Sequence, residues 1–354
     1  MSAGIRIQAP DLLEFSRAIL TTAGMPEDRA SLVAEVLVAG NLRAVDSHGV
    51  QLILHYLPDL RAGFMNVATD GRVVSETPTT MVLDGEDGVG HWIARIACDH
   101  AIRLAAGAGL GMVTVRNSSH IGMVAFWAQR MVERGQIGLA FTNATPLVAP
   151  WQGRERRLST NPICMAVPGG RRRAWLLDMA TTTVAMGKIV KAIHNGVPTL
   201  PHGWALDSRG RPTTSTAEAL QGFLMPLGGY KGYGLAMMVE ILCSVLSGGR
   251  MGPETGDPRD GKGPLGYSQC FLAIDVAHFV PVEEFGRRMD ILIDMMKSAA
   301  PAEGYEEVLV AGEPEWRAEQ VRRSEGIPLD AGVWEKLVAE ADALGVPVPC
   351  GVVY

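Results

Sequence analysis

Two histidines in this chain sit in polar turns between regular elements, each with serine and glycine close by. His48 lies in Asp46-Ser47-His48-Gly49, and His120 in Asn117-Ser118-Ser119-His120-Ile121-Gly122. An imidazole with a pKa of roughly 6.5 gives and takes a proton near neutrality, so these two are the candidates for acid–base chemistry. The remaining histidines (His55, His91, His100, His194, His202 and His278) have no polar cluster around them and read as structural or solvated. A third feature is Gly228-Gly229-Tyr230-Lys231-Gly232-Tyr233-Gly234, which opens a long apolar run. Bare backbone, a lysine and a helix start together suit a phosphate; the plainer reading is a tight turn packed on a neighbour. Short polar clusters also end the apolar runs at Thr142-Asn143, Ser159-Thr160-Asn161-Pro162 and Asp178 to Thr183, more of them than turns alone require.

Several standard chemistries lack their signatures. There is no HExxH, so no metal is expected, and no GxSxG elbow marks a hydrolase. Gly107-Ala108-Gly109-Leu110-Gly111 fails as a dinucleotide loop, because Met112 stands where the third glycine belongs and the run lies between a helix and a strand.

The elements that must position these residues follow from periodicity. Residues 10–45 read as two helices, the first capped by Asp11 and the second opened by Pro26-Glu27-Asp28. A helical stripe resumes at Val50, Ile53, Leu54, Leu57 and Leu60, so Asp46 or Ser47 is the expected cap and His48 falls in the first turn. Strand-like runs follow at 81–85, 111–115 and 137–142, with helices over 92–106 and 123–134 between them. His120 thus lies at a strand exit, the edge where open α/β sheets hold ligands. Residues 163–167 and 175–177 read as paired strands, and 195–227 as long surface connections. Helices are expected over 235–246, 289–298, 315–324 and 333–344, a strand over 269–276, and a turn at Ala311-Gly312-Glu313-Pro314.

Composition sets the class. A chain of 354 residues exceeds one small core, so more than one domain is expected. With 47% hydrophobic and 20% charged residues it reads as a globular enzyme-sized protein. The formal net charge is −6 and no basic stripe appears, which argues against nucleic acid. The start lacks a signal-peptide core and no apolar run reaches ~18 residues, which argues against a membrane. Five scattered cysteines without a CxxC pair read as reduced thiols, and the expected location is the cytoplasm.

Arg43-Ala44-Val45-Asp46-Ser47-His48-Gly49-Val50 resembles the N-terminal signature of the malate/L-lactate dehydrogenase family of NAD(P)-dependent oxidoreductases. That family is distinct from the Rossmann lactate and malate dehydrogenases, and includes ureidoglycolate, sulfolactate and diketogulonate dehydrogenases and piperideine-2-carboxylate reductases. The likeness continues in order through 117–122, Ala149-Pro150-Trp151-Gln152-Gly153, 159–162, 178–182, Gly187-Lys188, 229–234 and Glu325-Gly326-Ile327-Pro328-Leu329, so it spans nearly the whole chain.

The resemblance implies an α/β (α+β) fold with a non-Rossmann nucleotide-binding mixed sheet, and a helical domain built from both chain ends. The expected division is 1–75 joined by 315–354, and 76–314 as the cofactor- and substrate-binding region. It implies a homodimer and NAD or NADP as cofactor. By the same carry-over His48, assisted by Ser47, transfers the proton; in ureidoglycolate-type members His120 takes that role. His120, Ile121, Gly122, Met123, Val124, Asp178, Met179, Ala180, Lys231, Gly232, Gly312, Glu313 and Pro314 are expected along the cofactor, and Thr160 at the substrate.

Two departures bear on the substrate. Many relatives carry arginine four residues after the signature histidine and before the Gly-Lys pair; this chain has Leu52 and Met186. Lacking both cations, it fits a dicarboxylate poorly and a less charged 2-hydroxy or 2-keto acid better, with Lys188 the candidate to supply charge. Alternatives on the same scaffold are C=N reduction in a cyclic imino acid and a fold-preserving small-acid binder; the retained Ser47, His48, His120 and Lys231 argue against the binder.

Overall fold

The computed structural model describes residues 5–194, 196–258 and 260–350. Elements from the chain's two ends share one apolar core. Strand β1 (Ile5–Ile7) is followed by helices α1 (Ala9–Thr22), α2 (Glu27–Leu42) and α3 (Ile53–Arg61). Helix α1 starts earlier than Asp11 predicts: Pro10, with its preset φ and no N–H, suits the first helical turn, and Asp11 lies inside that turn.

The sheet region begins with β2 (Arg72–Glu76), which straddles residue 75, and β3 (Thr80–Asp84). Then come α4 (Gly90–Ala108), β4 (Leu110–Ser118), α5 (Val124–Val132), β5 (Gln136–Thr142), β6 (Ile163–Val167) and β7 (Trp175–Met179). Helix α6 (Met186–His194) leads to three short strands, β8 (Ala205–Leu206), β9 (Pro212–Thr213) and, after α7 (Thr216–Gln221), β10 (Phe223–Leu224). These pair in the order β10-β8-β9, so the stretch expected as open connections folds into a small antiparallel sheet with its own apolar cluster around Val148, Ile189, Leu200 and Leu224. Strands this short carry too few residues for an alternation signal.

Helix α8 (Tyr230–Glu240) runs on into a π turn over Ile241–Val245. After it come β11 (Tyr267–Asp275), α9 (Val282–Lys297), α10 (Glu313–Glu325), β12 (Ile327–Leu329) and α11 (Ala331–Leu344). Glu313 and Pro314, expected in a turn, are the first residues of α10, where proline costs no helical hydrogen bond.

The main sheet has the order β2-β3-β4-β11-β5-β6-β7. Only β3 and β4 run parallel; the other pairs are antiparallel. It is thus the mixed, non-Rossmann sheet expected above. One row across it is made of small residues: Gly111 pairs with Ala273, Ala273 with Gly138, and Gly138 with Ala166. A Cβ on Gly111 would lie 2.2 Å from the Ala101 carbonyl of α4, and one on Gly138 2.3 Å from the Ala128 carbonyl of α5. The missing side chains let both helices lie close on the sheet, which fixes the height of the β4–α5 turn that carries His120.

The second core is the helical one. It joins Leu12, Phe15, Ile19, Leu37, Ile53 and Leu57 from the first part of the chain to Ile327, Trp334 and Leu337 from the last. Strands β1 and β12 pair antiparallel, Ile5 opposite Leu329, and close this unit. No helix among the described residues is long and apolar enough to cross a membrane.

Candidate active site

The two histidines from distant turns meet. The rings of His48 and His120 stack with centroids 5.7 Å apart and planes 19° from parallel. Ser47 Oγ lies 3.0 Å from His48 Nδ1. That contact engages Nδ1, and Nε2 has no hydrogen-bond partner among the described residues.

His120 has a defined tautomer. Gly122 N–H donates to its Nδ1 at 3.1 Å, and the Tyr56 hydroxyl lies 2.7 Å from the same nitrogen. A nitrogen that accepts from a backbone amide carries no proton, so the neutral ring bears its hydrogen on Nε2. Burial is the main reason that His120 is held well below the ordinary histidine pKa, with charge on His48 and on His91 adding to it. Burial also lowers His48. Burial raises Tyr56 well above a normal phenol, which keeps its hydroxyl protonated and able to donate. Beneath these groups His91 is 1% exposed, packs edge-on against Tyr56 and Trp127, and is pulled down to about 3 by burial.

The loop that carries His48 departs from the sequence expectation. Asp46–His48 and Val50–Leu52 form two short 3-10 turns, and α3 begins only at Ile53. Neither Asp46 nor Ser47 caps α3, and His48 is not in its first turn. Tertiary partners take the acid instead. Asn41 Nδ2 donates to Asp46 Oδ1 at 2.8 Å, and Arg322 of α10 forks onto both carboxylate oxygens at 2.6 and 3.1 Å. The other end of the Asn41 amide accepts from Val50 N–H at 2.8 Å. One buried asparagine therefore pins the loop on both sides of His48.

The remaining candidates fall on the flanks. Gly187 comes within 3.4 Å of Ser47, measured from where its Cβ would be, so the start of α6 and the exposed Lys188 stand beside the histidine pair. Leu52 packs on the helical core and Met186 on the small-sheet core, so neither presents a cation. The Thr160 carbonyl accepts from both Thr181 N–H (2.9 Å) and Thr181 Oγ1 (2.8 Å), which ties the β6 entry to the β7 exit. Asp178 accepts from Ala125 N–H at 3.0 Å, in the first turn of α5. Its carboxyl, crowded by neighbours yet open along one edge, is pushed up to about 6, chiefly by desolvation.

Gly312 abuts Leu176, and Ala311 accepts from Leu176 N–H at 3.3 Å, which places 312–314 beside the start of β7. In the α8 turn both readings meet. A Cβ on Gly232 would lie 2.4 Å from Leu227 N and 2.7 Å from the Thr181 carbonyl, a packing constraint, while Lys231 is exposed with no partner among the described residues.

Sequence reasoning missed Tyr56, Asn41 and the anchor of α8. Glu240 is 8% exposed and accepts from Asn143, Asn161, Ser244 and Gly252 N–H. Two of the strand-exit polar clusters therefore serve a buried carboxylate that holds α8 to the sheet. The signal was present in part: an asparagine inside the apolar helix α2, and a tyrosine inside an apolar stripe, each need a buried partner.

Together, a non-Rossmann mixed sheet and a stacked pair of histidines, one of them at a strand exit, frame a candidate site. Comparison with known proteins agrees. The family model described as malate/L-lactate dehydrogenase matches residues 7–338, and the chain belongs to that family. It is 36% identical to the L-sulfolactate dehydrogenase of Methanocaldococcus jannaschii over 330 residues, covering 93% of this chain and 94% of that protein. It is 37% identical to a malate dehydrogenase of Pyrococcus abyssi over 350 residues, 97% of this chain and 96% of that one. The structure of malate dehydrogenase from Pyrococcus horikoshii OT3 superposes with a TM-score of 0.91 at 35% identity, covering 99% of this chain and 98% of the other.

Proposed function

We propose that the protein is an NAD(P)-dependent dehydrogenase that moves a hydride between nicotinamide and C2 of a small 2-hydroxy or 2-keto acid, with His48 transferring the proton. The observation that carries this reading is the Ser47–His48–His120–Tyr56 chain. It sets one imidazole, held at Nδ1 and without a hydrogen-bond partner at Nε2 among the described residues, beside a second whose tautomer is fixed.

A nicotinamide dinucleotide suits the residues present. The β4–α5 turn offers the backbone at the head of α5, β7 gives an extended edge, and Lys231 is an unpaired cation at the head of α8. When bound, the nicotinamide ring supplies the hydride acceptor or donor. His120 to Val124, Asp178 to Ala180, Lys231-Gly232 and Gly312 to Pro314 would hold it. In the oxidative direction the neutral His48 takes the hydroxyl proton as the C2–H bond breaks; in reduction the same nitrogen returns it to the developing alkoxide. Two stacked imidazoles do not hold two charges cheaply, and His120 is the more strongly depressed, so His48 is the one that titrates.

Lys188 is the candidate to meet the substrate carboxylate, and the Thr160 hydroxyl is a second candidate to touch the substrate. The apolar Leu52 and Met186 favour an acid with one carboxylate. They also support a second reading, reduction of a cyclic imino acid on the same scaffold. The exposed apolar face of Met237, Met238, Ile241, Val245 and Leu246 supports a homodimer.

His48→Ala tests the assignment. Turnover should fall about 10²- to 10⁴-fold while NAD(P)H binding, followed by tryptophan quenching, stays within about twofold. Unchanged turnover would move the role to His120. A panel of 2-keto acids against cyclic imines separates the two substrate readings.

A further inference from the structure

A pocket enclosing about 330 Å³ lies between the start of β7, α9 and α10, at the opposite end of β7 from the histidine turn. Four arginines line it, Arg171, Arg172, Arg173 and Arg317, against one acid, Glu313. The acid is already neutralised, since Lys297 Nζ lies 2.7 Å from it. Three of the arginines are also committed: Arg171 and Arg172 to Asp294, and Arg317 to Glu307. Arg173 is not. Its guanidinium lies 5.0 Å over the Trp316 ring, while Arg43 covers the same ring at 4.4 Å, and no acid pairs with Arg173 among the described residues. The Trp316 indole N–H is buried without an acceptor, so this wall holds more donors than acceptors.

The pocket's place decides what such a surplus is for. Ala311 and Glu313 on its wall flank Gly312, and β7 leads from Trp175 in the pocket to Asp178, which is hydrogen-bonded to the head of α5. By strand rise, Trp175 to Met179 spans roughly 13 Å, a separation that a dinucleotide bridges. With nicotinamide at the histidines, the adenosine end falls in this pocket. The adenosine of NAD carries no charge on its ribose hydroxyls, so an unspent guanidinium there has nothing to neutralise. The adenosine of NADP carries a 2′-phosphate, which guanidinium groups bind with charge-assisted hydrogen bonds.

We propose that this pocket receives the 2′-phosphorylated adenosine of NADP, with Arg173 as the phosphate-selecting residue, so that the protein prefers NADP(H) to NAD(H). The inference rests on the cofactor reading above. It is tested by titrating the native protein with NADPH and NADH, then displacing NADPH with adenosine 2′,5′-bisphosphate, 5′-AMP or inorganic phosphate. NADPH should bind about tenfold or more tightly than NADH, and the bisphosphate should displace it about tenfold better than 5′-AMP. Inorganic phosphate alone should compete weakly.

Arg173→Ala should erase both margins while NADH affinity stays within about twofold, and Arg173→Lys should restore part of them. Arg173 is exposed and unpaired, so its loss does not threaten folding. NADH binding as tightly as NADPH overturns this inference and leaves the dehydrogenase reading standing. Equal weakening of both dinucleotides by Arg173→Ala also overturns it, since the residue would then serve their common part. Binding of neither dinucleotide overturns both readings.

Discussion

Tyr56 brings a hydroxyl into an apolar stripe, and that hydroxyl ends on His120 Nδ1 at 2.7 Å. Tyr56→Phe keeps the ring packing on His91 and removes only this contact. It should lower kcat roughly tenfold and shift the acid limb of its pH profile, with NAD(P)H affinity unchanged; an unaltered profile would assign Tyr56 a packing role alone. At this scale the sequence was readable where chemistry is written in residue type. His48 and His120 stand out as imidazoles flanked by serine and glycine in turns, and the fold brings their rings together. Tyr56 and Asn41 did not stand out, because each looks like a member of the apolar helix it interrupts. Their roles come from partners 64 and 5 or 9 positions away, which no local pattern encodes.

The His48 loop is an element shaped by what grips it. Local propensity predicts a capped helix from Asp46; Asn41 and Arg322 take the carboxylate, and two 3-10 turns result. Asn41→Ala would orphan the Val50 N–H and free one side of Asp46. A loss of about 1–3 kcal/mol in urea unfolding is expected, with a fall in kcat as the loop loosens. Gly49→Ala makes the same point sterically, because its Cβ would sit 2.2 Å from Asn41 Oδ1. It should resemble Asn41→Ala in both measurements, and a neutral result would show that the loop can move aside. Long periodic elements such as α4, α11 and the main-sheet strands β3 to β7 and β11 were legible; β2, exposed along its whole length, was not. The small sheet β10-β8-β9 was not, for strands of two residues carry no period.

Across the whole molecule, buried neutral histidines set the response to acid. His91 has a folded pKa of about 3 against roughly 6.5 when unfolded, so below pH 6.5 the unfolded chain binds the extra proton and stability falls with pH. The loss from His91 alone is about 1.4 kcal/mol at pH 5.5, and His48 and His120 add to it in the same direction. His91→Phe should flatten this acid limb relative to the native protein when urea midpoints are compared at pH 7.5 and 5.5. An equally steep loss would place the sensitivity elsewhere. The apolar face on α8 and its π turn gives a second test at this scale. Ile241→Glu should convert a dimer to monomer in sedimentation, and an unchanged native mass would place any dimer contact elsewhere.

The pairing of β1 with β12 has a consequence for how the protein is made. Arg6 donates to the Gly326 carbonyl across 320 positions, and Phe15 packs on Trp334 at 5.3 Å. Helices α1 and α2 therefore wait, with their apolar faces uncovered, until β12 and α11 have been synthesised. A nascent chain stalled or cut before Ile327 should be bound by chaperones or cleared by proteases, however complete its sheet and its histidine pair already are.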